Sequence, residues 1–406
     1  MIENIKAYMN SKRNEMVSLQ KRLTSVKALA PENGGDGESE KAEVIVDWLN
    51  KSGFSDIEVF DAPDNRVKSG VRPNIVLTIP GSDLSAPVIW VMAHMDVVPT
   101  GELSLWKTNP WECIEKDGKL FGRGVEDDQQ GLVSMVFAAK YLLENKIIPK
   151  HTVKLLFAAD EECGSAYGVQ WLVEHTKLFK KNDLVIIPDG GDPEGVTVEI
   201  AEKNLMWMKL HVVGKQTHGS RPDSGINACL AANDLSLRLH GLEKIFNKKD
   251  SLFEPDYSTF QPTMRMKNVD GINIIPGDEV FYMDCRILPC YTISEVQKEV
   301  EKVISDVKND YGVQIEYSLV QKSESPATSR ESDVVKLLSS AIKKAHGQET
   351  KCIGIGGGTV GAELRREGID CAVWSTLNDM AHQPNEYCII DNMIKDAVTL
   401  AVLFTE

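Results

Sequence analysis

An apolar run that ends in a histidine and a carboxylate, Val88-Ile89-Trp90-Val91-Met92-Ala93 followed by His94-x-Asp96, constrains this chain more than any other feature. Such a run reads as a strand of an α/β sheet covered on both faces. Donor groups at its exit stand where open α/β sheets keep their chemistry. The arrangement recurs. Val153 to Ala159 runs into Asp160-Glu161-Glu162, and Asp183 to Pro188 runs into Asp189. The turn Gly122-Arg123-Gly124-Val125-Glu126-Asp127-Asp128 adds a further acidic cluster. One metal needs only about three or four such donors, so the chain is rich enough for two.

Around these clusters, helical and strand-like segments alternate. Apolar spacing predicts helix from Glu3 to Leu29 and from Glu38 to Leu49, the second stopping near Gly53 as a C-terminal glycine. Strands are expected at Ile57–Phe60, Asn74–Ile79 and Val88–Ala93, and helix from Leu132 to Leu143. Near Asn204 the pattern changes: Met206, Met208, Leu210 and Val212 alternate with their neighbours, as in a half-buried strand. A helix from Asn227 to Leu239 follows, then strands near Phe260–Asn268 and Glu279–Ile287, a helix from Ser294 to Asn309 and a strand at Val313–Leu319. The order β-α-β-β-α-β is a ferredoxin-like unit. Helix-then-strand character returns at Val334–Ala345 and Cys371–Trp374. The expected organisation is therefore an α/β catalytic domain formed by residues 1–204 and 321–406, interrupted by an inserted βαββαβ domain at residues 205–320. Ser323 to Ser329 is polar enough to act as a hinge.

With 406 residues, 42% hydrophobic and 26% charged, the chain suits a two-domain globular protein. A formal charge of −15 without a basic stripe argues against a nucleic-acid partner. No run approaches membrane-spanning length, and the N-terminus lacks a signal-peptide core, which points to a cytoplasmic enzyme. The eight cysteines form no C-x-x-C pair and read as reduced thiols. Cys163 beside Glu162 is included, since dinuclear hydrolytic sites prefer oxygen and nitrogen donors.

A dinuclear site needs terminal ligands on each metal and one carboxylate shared across a gap of about 4 Å. Asp127, between Gly124 and Gly131, is placed to be that bridge. His94 offers a nitrogen, and Asp96 is placed to accept from its imidazole and orient it. Of Glu161 and Glu162, one binds and the other is free as a general base; the residues alone leave open which. His346, beside Lys343-Lys344, reads as a surface residue. His382, in Asn378-Asp379-Met380-Ala381-His382, returns to the sheet's carboxyl edge and is the better donor.

Taken together, these motifs resemble the dizinc amidohydrolase and peptidase family of aminoacylase, acetylornithine deacetylase, succinyl-diaminopimelate desuccinylase and bacterial dipeptidases. The resemblance spans nearly the whole chain. It implies that His94 and Asp189 hold one metal, Glu162 and His382 the other, that Asp127 bridges them and that Glu161 is the general base. It further implies that the inserted domain is a lid that forms a homodimer. In Gly214-Lys215-Gln216-Thr217-His218-Gly219, His218 would polarise the scissile carbonyl, while Asn273, Arg286 and the loop Gly356-Gly357-Gly358-Thr359 would meet a substrate carboxylate. Gln129 departs from the lysine common after the bridging loop, and residues 356–366 lack the Gly-Thr-Asp common in deacylases. Asp189, in place of glutamate, leans towards the aminopeptidase and dipeptidase branch. The expected reaction is hydrolysis of an amide bond next to a free carboxylate. A dipeptide is the first substrate and an N-acyl amino acid the rival, with two divalent cations, zinc or else cobalt or manganese. A non-catalytic binding protein would show a missing ligand or base, and none is missing.

Overall fold

Eight strands form one mixed sheet, in the order Ile57–Pro63, Val71–Ile79, Val153–Ala158, Ile89–His94, Leu184–Asp192, Cys371–Thr376, Thr197–Glu202, Lys351–Ile355. The structure, a computed structural model, describes residues Met1–Glu406. Its four central strands, from Val153–Ala158 to Cys371–Thr376, run parallel. Parallel strands are buried on both faces, which explains why Ile89–His94 is covered along its whole length. Helices Gln129–Glu144 and Ile390–Phe404 supply one cover, joined where Ser134 Oγ donates to the Met393 carbonyl at 2.9 Å. Buried Asp396 binds Ser375 Oγ at 2.7 Å and the Thr376 N–H at 3.1 Å, fixing the end of the last parallel strand. Chain reversals at the carboxyl ends of these four strands thus deliver His94, Glu161 and Glu162, Asp189 and the segment leading to His382 to one edge.

The chain divides into two compact units: residues 1–200, 328–353 and 363–406, and residues 201–327 with 354–362. The second unit holds an antiparallel sheet ordered Thr259–Arg265, Asp278–Ile287, Asn204–Val213, Gln314–Ser323. Helices Ala228–His240 and Ile293–Tyr311 complete the order β-α-β-β-α-β. Met206, Met208, Leu210 and Val212 face its core, alternating along their strand. Helix Ile293–Tyr311 opens on a capping box between Thr292 and Glu295 and closes on Gly312 at φ 69°. Its buried stripe is Ile293, Val296, Val300, Ile304 and Val307, each such side chain contributing about 1.5–3 kcal/mol when buried.

Several expectations are revised. The first helical stretch is two helices, Ile2–Ser11 and Arg13–Thr24. At the break, Ser11 Oγ and the Asn10 amide take the carbonyls of Tyr8 and Lys6, side-chain bonds that compete with helix continuation. The 323–329 segment contains the boundary between the two units, after Ala327, and is bonded on either side of it. Ser325 donates its N–H to Asn204 Oδ1 at 2.9 Å, and Thr328 Oγ1 donates to the Cys371 carbonyl at 2.8 Å. The glycine loop groups with the second unit because Gly354 lies against the Phe253 ring, where a Cβ would come within 2.3 Å. His346 is no surface residue: it is half-buried, its Nε2 2.8 Å from Thr399 Oγ1.

Candidate metal centre

His94 ends its strand, and its ring is held from behind. Nδ1 lies 3.0 Å from the Asp96 carbonyl and 3.4 Å from Asp96 Oδ1, so a proton on Nδ1 leaves the Nε2 lone pair facing the site. The Asp96 carboxylate, 1% exposed, also accepts the N–H of Glu161 at Oδ1 and of Glu162 at Oδ2, both at 3.1 Å. One carboxylate therefore orients the histidine and ties its strand exit to the glutamate turn.

Asp127 stands between the two histidines. Its Oδ1 is 2.9 Å from His94 Nε2, and its Oδ2 is 3.2 Å from His382 Nε2. On the first side Asp189 Oδ2 lies 4.0 Å from His94 Nε2; on the second, Glu162 Oε2 lies 2.9 Å from His382 Nε2. In two groups one donor atom from each residue lies within 4.8 Å of the others: His94 with Asp127 and Glu162, and His94 with Asp128 and Asp189. Asp128 was not singled out by sequence, although the doubled acid in Glu126-Asp127-Asp128 was its signal. Its Oδ2 accepts the His94 N–H at 3.2 Å, and its Oδ1 is buried without a partner. The Asp127–Asp128 peptide is cis. Gly124 meets the turn's conformational demand at φ 83°, whereas Gly131 serves close approach: a Cβ there would lie 2.3 Å from Asp128 Oδ1 and 2.7 Å from the Pro188 ring.

The charges call for a cation. Burial, reinforced by the neighbouring carboxylates of Asp128 and Asp127, pushes Asp189 well above the ordinary carboxylate range. Burial likewise raises Glu161 to about 8, opposed by His94 and helped by Glu162, Asp96 and Asp127. Burial disfavours charge on Asp127, yet its bonds to His382 and His94 hold it below the usual range. The bonds to Asp127 and Glu162 lift His382 to about 10. For His94, burial works against the charged form, but Asp127 and Asp96 together drive it well above the usual imidazole range. Glu162 Oε1 is buried with no partner, a further acceptor for a cation. The donor set of imidazole nitrogens and carboxylate oxygens fits two divalent ions of the zinc, cobalt or manganese kind.

Glu161 is held through its main-chain N–H, in a 3-10 turn entered from Asp160 at φ 64°. That turn aims Glu162 at His382 and leaves Glu161 outside both donor groups. Cys163 also lies outside them.

In the second unit, exposed His218 pairs with Ile274 across a short antiparallel ladder, and the next residue, Gly219, donates to the Asn273 carbonyl at 2.7 Å. The fold thus brings His218 and Asn273 together. His218 Nδ1 accepts the Ser220 N–H at 3.1 Å, so Nε2 carries the ring proton. Arg286 forks onto Asp284 at 2.7 and 3.0 Å and reaches the Gly356 carbonyl at 2.7 Å. Thr359 Oγ1 donates to Glu202 Oε1 at 2.7 Å. Arg286 and the glycine loop are therefore one assembly, with much of the guanidinium already paired.

Residues 90–406 match peptidase family M20/M25/M40. A metallohydrolase of Methanocaldococcus jannaschii is 41% identical over 401 residues, covering 94% of this chain and 97% of the relative. Succinyl-diaminopimelate desuccinylase of Wolbachia pipientis subsp. Culex pipiens is 28% identical, covering 93% and 90%. Among solved structures, a tripeptidase from Staphylococcus aureus superposes with a TM-score of 0.77 at 17% identity, covering 97% of this chain and 98% of that one. The di-peptidase Dug1p of Saccharomyces cerevisiae gives 0.73 at 16% identity, covering 100% and 98%.

Proposed function

The chain belongs to peptidase family M20/M25/M40 and is a metal-dependent hydrolase of amide bonds; from that premise we propose that it cleaves a dipeptide or other small peptide beside a free carboxylate. The observation that supports a two-metal hydrolase is the division of Asp127 between two histidines, Oδ1 at 2.9 Å from His94 and Oδ2 at 3.2 Å from His382. In this proposal His94 and Asp189 hold one divalent cation, Glu162 and His382 the other, and Asp127 both, with zinc the first choice. When bound, such a pair supplies Lewis acidity that polarises a carbonyl and acidifies water. Glu161 takes the proton from the attacking water and passes it to the leaving nitrogen, worth about 10²–10⁴-fold. Asp96 keeps His94 and the Glu161–Glu162 turn in register. His218, with its proton on Nε2, donates to the carbonyl oxygen as negative charge develops there. Asn273, the N–H groups of Gly357 and Gly358, Thr359 and the remaining Arg286 donors receive the substrate carboxylate. The second unit pairs two copies of the chain, exposing Leu230, Leu237, Met264 and Met266 for the purpose.

Asp189 and the peptidase names of the structural neighbours support the peptide reading. The desuccinylase relative from Wolbachia, 28% identical over 93% of the chain, favours a second one, release of an acyl group from an N-acyl amino acid. The test is turnover of dipeptides beside acetyl- and succinyl-amino acids by the zinc- and cobalt-loaded enzyme, with a chelator control. Chelator-sensitive cleavage of dipeptides alone is expected; cleavage of acylated amino acids alone selects the second reading. Glu161→Gln should abolish turnover with metal content unchanged, whereas Glu162→Gln and Asp127→Asn should lose metal. Equal metal loss in all three sinks the base assignment.

A further inference from the structure

Two glutamates outside the proposed ligand set, Glu126 and Glu386, are 2% and 0% exposed. Glu386 Oε2 accepts the Gly124 N–H and the Arg123 guanidinium, both at 2.8 Å, and its Oε1 accepts the N–H of Glu126 at 2.9 Å and of Asp127 at 3.2 Å. Glu126 reaches the other way: Oε1 accepts the Asn378 N–H at 2.7 Å and Oε2 the Met380 N–H at 2.6 Å. Each carboxylate sits in one turn and collects the main-chain donors of the other. The first turn carries Asp127; the second carries His382.

The second turn needs such holding. Asp379, His382 and Asn385 all occupy the left-handed region, at φ 57°, 63° and 61°, which residues with a Cβ enter reluctantly. The His382 side chain is 57% exposed, so little packing fixes it. The hydrogen bonds to Glu126 anchor the turn before His382, and Glu386, four residues beyond, anchors it after.

We propose that Glu126 and Glu386 are positioning residues forming a reciprocal clasp that sets the reach from Asp127 to His382, and with it the affinity of the metal centre. This rests on the ligand set proposed above. Glu126 governs the cation held by Glu162 and His382, because only the turn of His382 hangs from it. Glu386 governs both cations, because it holds the shared ligand Asp127.

The experiment is a chelator-competition titration with zinc alone on wild type, Glu126→Gln and Glu386→Gln. An amide in place of Glu126 presents a donor to one of two main-chain donors. One zinc of wild-type affinity and one weakened about 10–100-fold are expected for Glu126→Gln, and two weakened zincs for Glu386→Gln. A Glu126→Gln chain that keeps both affinities, or weakens both equally, overturns the clasp. Failure of the wild type to take up two zincs overturns the ligand set itself, a distinguishable result. Should either variant not fold, hydrogen exchange on the zinc-loaded wild type decides: the Asn378 and Met380 amides exchange slowly if clasped, and exchange at the rate of free loop amides refutes the proposal.

Discussion

Replacing Asp96 by asparagine changes one oxygen to an amide nitrogen and nothing in shape, which makes it the sharpest probe of how the centre is held together. Both Asp96 oxygens accept part-buried main-chain donors at 3.1 Å, from Glu161 and Glu162. The amide of Asp96→Asn faces one of those N–H groups with a donor of its own. That loses one charge-assisted bond, worth about 1.5–3 kcal/mol, and strands an N–H whose desolvation costs about 1–3 kcal/mol. Partial relaxation of the turn towards solvent offsets some of this, so a loss of about 2–4 kcal/mol is expected in the metal-free protein. The stranded N–H belongs either to Glu161, the proposed base, or to Glu162, a proposed ligand, and the imidazole of His94 loses its charged neighbour at 3.4 Å. Zinc affinity should therefore fall about 10–100-fold. Urea unfolding of the metal-free protein and chelator competition on the loaded protein read the two effects separately. Stability within about 0.5 kcal/mol of wild type, the range of an ordinary surface change, would refute the idea that Asp96 ties the histidine to the glutamate turn.

His346 should make the protein acid-sensitive. Burial, with the charges of Lys395 and Lys6, holds its imidazole down at about 4, against 6.5 ordinarily. The unfolded chain is protonated first, so the stability present above pH 6.5 falls as pH drops through the window to 4, by at most about 3 kcal/mol before solvent screening is allowed for. His346→Gln should flatten that slope in urea melts run at successive pH values, and an unchanged slope excludes His346 as its source. Gly131→Ala should destabilise by about 1–3 kcal/mol despite alanine's better helix propensity, because the new Cβ lies 2.3 Å from Asp128 Oδ1 and 2.9 Å from the Pro188 carbonyl. Equal or raised stability in the same melts would show that the packing there can yield.

Local chemistry made much of this protein legible in its sequence. An apolar run such as Val88–Ala93 can be satisfied only inside a covered sheet, and polar groups at its end have nowhere to go but the sheet's edge. Strict alternation at Met206, Met208, Leu210 and Val212 likewise dictates one buried face, and it places the change of architecture within a few residues of Ala201, where the second unit begins. Donor types at strand exits and in a glycine-flanked turn are a one-dimensional signal, which made His94, Asp127, the Glu161-Glu162 pair, Asp189 and His382 candidates, whereas the choice of Glu162 as the ligand came from the family resemblance. What the chain order could not carry is which distant turns hold one another. Glu386 lies 262 residues from Gly124, and Glu126 lies 252 from Asn378, yet each takes the other's main-chain donors. Asp128 reads in sequence only as one member of an acidic cluster, whereas in the fold its carboxylate accepts the His94 N–H. His346, among lysines in sequence, is covered by a helix 53 residues further on, which brings Thr399 to its ring. Periodicity and donor chemistry are properties of neighbouring residues, whereas burial, the pairing of carboxylates with main-chain donors and the resulting proton affinities depend on segments that meet only when the sheet closes.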